Sequence, residues 1–491
     1  MSNPASKNTI NRLSDIMGNN IKECFPVLLD TVGLLSKIKS LIKETKNEDE
    51  IKIVNNQKDV LELRSSVLYA ILEIAVALRA DFRSDIAIEK RVNLKYLVFI
   101  TSEFYKSTFM PEERANLWKK VSEYISSMNV DVINEINKIN DGIKVYKDTY
   151  FNKDKDKRDI ALHYDFNLDV LYNYIIEIGE EEEAQRVCAF LAVILKINEL
   201  ITSNMYLLHI KESFQNTFKN YESIEVKYEF ETLKKRLYPM VGEKIQKFAN
   251  LIDKNMKSYN ITNNLSDDIL SVLGVDGIDN IKEKRDYAKL GIISHYLYLD
   301  LGTALRCYLS SEYFIEKQLN LTRINLIIYE GYKKIYIPIN KDSKSLWDQY
   351  VYSVLFSDGK GSLKTKIKSV ELKLHDYKKD NTLVDANERH KYVHLRNHKK
   401  FTLPEFLDIL LNLNPHNELN KSLLFMQLLS EIIKLNIESI DIKSEIESVT
   451  IRQQIMKPFN QIKSKISNSN MKKEDKQRME EGIDKIMNLF N

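Results

Sequence analysis

The feature that most constrains this chain is that it resembles itself. Ala77-Leu-Arg79, followed by Ile88-Glu-Lys-Arg-Val-Asn-Leu94, returns as Ala304-Leu-Arg306, followed by Ile315-Glu-Lys-Gln-Leu-Asn-Leu321. The separation is 306 − 79 = 227, and it persists to Glu103 and Tyr105 against Glu330 and Tyr332. Upstream, Phe25 to Asp30 matches Phe248 to Asp253 at 253 − 30 = 223; downstream, Phe190-Leu-Ala-Val-Ile matches Phe425-Met-Gln-Leu-Leu at 425 − 190 = 235. A slowly growing separation is what a few loop insertions produce. Two copies at so long a period imply duplicated domains, not a solenoid. The expected division is 1–232 (one helical domain with a connecting helix), 233–440 (a second) and 441–491 (a charged helical tail), with the two domains related by a pseudo-twofold axis.

Those domains read as all-α. With 13 Gly and 8 Pro in 491 residues, turn signals are too few for a β fold, and helices joined by short polar loops are predicted. Apolar periodicity places helices at about 8–45, 57–83, 88–109, 112–126, 129–149, 167–178 and 182–203, with a polar loop around Asn47, Asn55 and Asn56. Thr402-Leu-Pro-Glu405 has the capping-box pattern of a helix start. The balance of 73 basic and 70 acidic residues, a net charge of +3, excludes a protein that coats nucleic acid, so any RNA contact should be local. Cys24, Cys188 and Cys307 have no paired spacing, which argues against a disulfide framework or zinc knuckle. The apolar run Val67–Leu78 is interrupted by Glu73 and too short to span a bilayer. A cytoplasmic protein without a membrane partner is expected.

The chemistry-bearing feature is a repeated hexapeptide. Arg158-Asp-Ile-Ala-Leu-His163 recurs as Arg389-His-Lys-Tyr-Val-His394 at 389 − 158 = 231, between the flanking separations. Each copy follows a polar loop, so each Arg falls near a helix start, where backbone N–H groups and a guanidinium together favour phosphate. Four residues apart on a helix is one face, so Asp159 can orient His163, and His390 can orient His394. Arg and His, five apart, lie about 140° apart on a straight helix. One copy is an awkward complete site; two copies facing one cleft would put two Arg and two His around one phosphate.

This pattern, on an all-helical domain, resembles the HEPN superfamily of ribonucleases. The resemblance implies paired domains whose composite site cleaves RNA without metal or cofactor. The 2′-OH would attack the adjacent phosphate and leave a 2′,3′-cyclic phosphate. It implies His163 and His394 as general acid and base, Arg158 and Arg389 as stabilisers of the phosphorane, and Asp159 and His390 as orienting residues. Among superfamily members the chain is nearer to abortive-infection toxins than to the RNA-guided effectors, so an RNA substrate with an inhibitory antitoxin or a guide RNA is the partner expectation. A non-catalytic helical RNA- or nucleotide-binding module and a compact RNA-guided nuclease are the alternatives. Oligomeric state is left open.

Other residues read more plainly. Arg79 and Arg306 match across the copies inside apolar helices; a buried helix–helix ion pair is the main expectation and a cleft-lining role the alternative. Glu89, Lys90, Glu316 and Lys317 read as a solvated face. His390, His394 and His398 recur every four residues, but positions eight apart on a helix are about 12 Å apart, so all three cannot hold one ion; no metal site is expected. His209, His295, His375 and His416 read as structural or surface residues.

Overall fold

The computed structural model describes residues 4–110, 116–152, 168–176, 178–205, 224–273, 275–338, 344–357, 361–380, 403–439 and 477. All regular structure among them is helical. Seven helices come first: α1 (Pro4–Glu44), α2 (Glu48–Arg83), α3 (Ala87–Phe109), α4 (Leu117–Met128), α5 (Ile133–Tyr146), α6 (Leu168–Ile176) and α7 (Glu180–Asn204). Seven more follow: α8 (Ile224–Leu273), α9 (Val275–Ser310), α10 (Phe314–Tyr336), α11 (Leu346–Ser357), α12 (Gly361–Asp380), α13 (Leu403–Leu411) and α14 over 415–439. A 3₁₀ turn, Val130–Val132, precedes α5, and a π turn, Lys147–Phe151, follows it.

The two sets start at matched separations: 275 − 48 and 314 − 87 are both 227, 346 − 117 is 229, and 415 − 180 is 235. Local chemistry is matched too. Asn116 caps α4 by accepting from the Lys119 N–H (3.0 Å), with its own backbone left-handed at φ 50°. Ser345, at 345 − 116 = 229, caps α11 by accepting from the Asp348 N–H (3.0 Å). A Leu-Trp pair follows each cap, and Trp118 and Trp347 are both buried.

One contiguous apolar core runs through both sets of helices. At its centre lie α2, α3, α9 and α10. Burial is unbroken from Leu290 to Leu309 in α9 and from Ile315 to Tyr332 in α10, so these stretches are enclosed on every side. That encloses Glu316 and Lys317 (2% and 7% exposed) and, in α3, Glu89 (2%). The solvated face expected for them does not exist; only Lys90 keeps partial exposure. The reason is tertiary: these residues open helices that pack into the junction between the two sets.

One further expectation is corrected. The polar stretch at 47–56 is not a loop. Asn47 caps α2 through the Asp49 N–H (3.0 Å), and Glu48, Asp49 and Glu50 occupy the first turn, where acids suit the helix dipole; Asn55 and Asn56 lie inside the helix. The boundary drawn at 232 falls within the continuous helix α8. Among the described residues, the one helix with membrane-spanning length and hydropathy is α7, not the Val67–Leu78 run. It opens on four glutamates and packs against α2, α3 and α5.

Candidate functional site

Arg158, Asp159, His163, Arg389, His390, His394 and His398 lie outside the described residues, as do Thr402 and His209. The helices on either side of each motif segment are described. The first segment runs between the π turn after α5 and the start of α6; the second runs between α12 and α13.

Both approaches are anchored by three aromatic residues. In the first, the Tyr146 ring packs on Tyr105 (5.4 Å between centroids) and Phe190 (5.0 Å). In the second, Tyr377 packs on Tyr332 (6.1 Å) and Phe425 (5.4 Å). The separations are 332 − 105 = 227, 377 − 146 = 231 and 425 − 190 = 235, the same drift read along the chain. Each anchor stands twelve residues before a motif Arg (158 − 146 and 389 − 377). The aromatic rings are sealed. Burial pushes the Tyr146 and Tyr105 phenols up to about 12, and Tyr332 and Tyr377 are raised as well, so these groups stay protonated near neutrality and hold position rather than move protons.

Beside each anchor sits a cation on an i,i+3 acid. Arg186 meets Glu183 at 3.0 Å, both side chains 2% exposed, and its guanidinium lies 5.7 Å from the Tyr150 ring centroid. Burial lowers the Arg186 pKa. Lys421 meets Glu418 at 3.1 Å (421 − 186 = 418 − 183 = 235), and the Lys421 carbonyl accepts from the Tyr377 hydroxyl at 3.1 Å. Sequence reading matched Tyr105 with Tyr332 and Phe190 with Phe425 but missed Tyr146, Tyr377 and both ion pairs. Their signal was the same drifting separation, applied to single aromatic and charged positions rather than to contiguous strings.

Beyond each motif segment the next helix packs on its own half, α6 on α3 and α13 on α10, and also reaches the other. On α6 the Tyr172 hydroxyl donates to Asp253 of α8 (2.6 Å). On α13 the Phe406 ring meets Tyr69 of α2 edge-on (5.4 Å), and α13 also touches α1. Each motif segment therefore leaves a helix anchored in its own half and enters a helix that contacts the other half.

Arg79 and Arg306 are buried in ion pairs. Arg79 binds Glu316 and Glu312 at 2.6 Å each, donates to the Ser14 carbonyl (3.1 Å), and lies over the Tyr313 ring (4.8 Å). Arg306 binds Glu89 (2.8 Å) and Asp85 (2.9 Å) and lies over the Tyr238 ring (4.0 Å). The partners exchange: 316 − 89 = 227 and 312 − 85 = 227. Glu73 and Asp300, six residues before each Arg, bond elsewhere, to the Tyr96 hydroxyl and to Lys95 respectively. Burial alone would raise the Glu89 pKa and lower that of Arg306; the net result is that both are raised, because facing Glu89 and Asp85 outweighs desolvation for the guanidinium. The Arg323 guanidinium lies over the Tyr96 ring at 4.4 Å, and these two positions are themselves 227 apart.

Among the other histidines, His295 is buried, contacts the Gly291 carbonyl through Nδ1 (2.6 Å) and packs edge-on against Phe248; burial lowers its pKa. His375 and His416 are exposed. Among the described residues no group of three metal-ligating side chains occurs. No family model matches the chain, and neither a curated protein nor a solved structure matches it.

Proposed function

We propose that the chain is a metal-independent endoribonuclease whose single composite site takes one R-x4-H motif from each half of a tandem HEPN-like pair. In this reading the two halves are copies related by a pseudo-twofold axis. Position 96 meeting position 323, and clamps that exchange partners, are what an isologous contact produces. His163 and His394 serve as acid and base on a ribose 2′-OH and its 3′ phosphate; Arg158 and Arg389 hold the phosphorane charge; Asp159 and His390 orient the imidazoles. The observation that carries the reading is the matched approach: both motif segments begin twelve residues after equivalent buried tyrosines and end at helices touching the opposite half. Such a path favours convergence of the two motifs. A cytoplasmic defence or toxin role, with an antitoxin or guide RNA as regulator, is the biological setting proposed with it.

The test is cleavage of labelled RNA by the full chain in EDTA. Cyclic-phosphate ends are expected, with loss of activity in His163→Ala and His394→Ala. Activity abolished by chelation and restored by Mg²⁺ would overturn the mechanism. Retention of RNA or nucleotide without cleavage would move the reading to a binding module, and a defined co-purifying RNA to a guided nuclease.

A further inference from the structure

We infer that Arg79 and Arg306 are positioning residues, two reciprocal struts that set the spacing between the helices bordering one motif segment and those bordering the other. Its catalytic half rests on the proposed ribonuclease; its mechanical half rests on the described contacts alone.

Each strut joins a helix of one half to a helix start in the other. Arg79 of α2 grips Glu316 at the head of α10, and Arg306 of α9 grips Glu89 at the head of α3. From each gripped acid the same helix runs sixteen residues (105 − 89 and 332 − 316) to the tyrosine that roots the aromatic anchor. At 1.5 Å per residue this is a rigid lever of about 24 Å. The acids are also locked to their helix starts. Glu316 accepts from the N–H groups of Glu312 (2.8 Å) and Tyr313 (3.0 Å), and Glu89 accepts from the Ser84 hydroxyl (2.7 Å). The arginines have no slack behind them. A Cβ built on Gly18 would lie 2.9 Å from the Arg79 guanidinium, and one built on Gly242 would lie 2.9 Å from that of Arg306.

Buried ion pairs are often no more stabilising than apolar residues of the same volume, but a guanidinium fork on two carboxylates fixes direction and distance. Two such forks, in mirrored places, give up little freedom between the halves. That is the property a site assembled from both halves requires, since a misplacement of about 1 Å can cost on the order of 10²-fold in rate.

The experiment uses the full chain with spin labels at Lys138→Cys on α5 and Lys368→Cys on α12, both exposed, in a Cys188→Ser background; Cys24 is half-buried and Cys307 buried. Arg79→Met with Glu316→Gln removes the fork without leaving the buried carboxylate charged. The expected result is a shifted or broadened label distance and a kcat lower by on the order of 10²-fold, with KM changed by less than about twofold. The mirror pair, Arg306→Met with Glu89→Gln, should match it, and Arg79→Glu with Glu316→Arg should recover both readouts in part. If the first variant fails to fold, Arg79→Lys, which keeps the charge but loses the fork, reads the same distance with a smaller shift. An unchanged label distance overturns the struts, whatever happens to activity. A shifted distance with an undiminished kcat overturns the positioning role. A wild-type chain without ribonuclease activity, whose label distance still shifts in the variants, upholds the struts and sinks the ribonuclease.

Discussion

The approaches to the two motif segments share three aromatic positions but treat their neighbouring ion pair differently. In the first half Arg186 and Glu183 are sealed at 2% exposure beneath the π turn, with Phe151 of that turn against Tyr105 (4.4 Å). In the second half Lys421 keeps 23% of its side chain in water beside Glu418 at 8%. The difference follows from the cation. A guanidinium is weakly hydrated and stacks on a ring, so it tolerates closure; an ammonium is a compact, strongly hydrated charge and favours a site that stays wet. Positions 235 apart therefore hold a buried charge in one half and a partly exposed one in the other.

The largest effect expected concerns the comparison at the motifs themselves. His163→Ala and His394→Ala should each lower the ribonuclease rate by about 10²–10⁴-fold, with the double variant little worse than either, because residues acting as a unit are not additive. Two independent half-sites would instead leave about half the activity in each single variant. Single-turnover rates at matched RNA concentration separate the outcomes.

Next comes stability at the two ion pairs. Arg186→Met leaves Glu183 buried without its cation and should cost about 3–5 kcal/mol. Lys421→Met removes a partly hydrated charge but leaves the buried Glu418 without it, and should cost about 1–3 kcal/mol. Urea unfolding of both variants checks the ratio, and equal costs would refute the hydration argument.

The clamps should behave alike where the ion pairs differ. Gly18→Ala and Gly242→Ala each push a methyl against a guanidinium pinned by two carboxylates, and each should cost about 1–3 kcal/mol. A difference of several-fold between them in denaturant unfolding would show that the mirrored clamps are not mechanically equivalent.

The smallest effect has no counterpart in the second half, where Tyr308 occupies the position 227 residues beyond Asp81. Asp81 is half-buried as a residue, but its Oδ1 is closed off from solvent and accepts no hydrogen bond among the described residues. Burial pushes its carboxyl up to about 7, opposed by Lys90 and reinforced by Glu180. A raised carboxyl binds its proton more tightly folded than unfolded, so its contribution to stability falls as pH rises from the ordinary carboxylate range to about 7. Asp81→Asn should therefore melt higher than wild type at pH 8, and the gap should close towards pH 5. A gap independent of pH would mean the carboxyl is not the cause.

Much of the helix plan was legible in the sequence, because apolar periodicity and caps act within a turn or two of the residues that carry them. The helices at 88–109, 167–178 and 182–203 appear within two residues of their expected ends as α3, α6 and α7. The α2 start was misread because three asparagines resemble a loop, although Asn47 was acting as a cap. The candidate site was legible as a repeated motif but not as a place, since a hexapeptide states its own spacing and nothing of what it faces.

By itself, then, the sequence determined the helical class, the order of the helices and the matched spacing of residues 227 to 235 apart. Each of these is written in local residue chemistry or in the chain's likeness to itself. Only the tertiary structure decided that Glu89, Glu316 and Lys317 are buried, and that Arg79 pairs with an acid 237 residues away rather than with Glu73 on its own helix. Charged residues at a helix start read the same in water or in a junction. Which one they meet depends on how two separate sets of helices pack, and no stretch of chain contains that information.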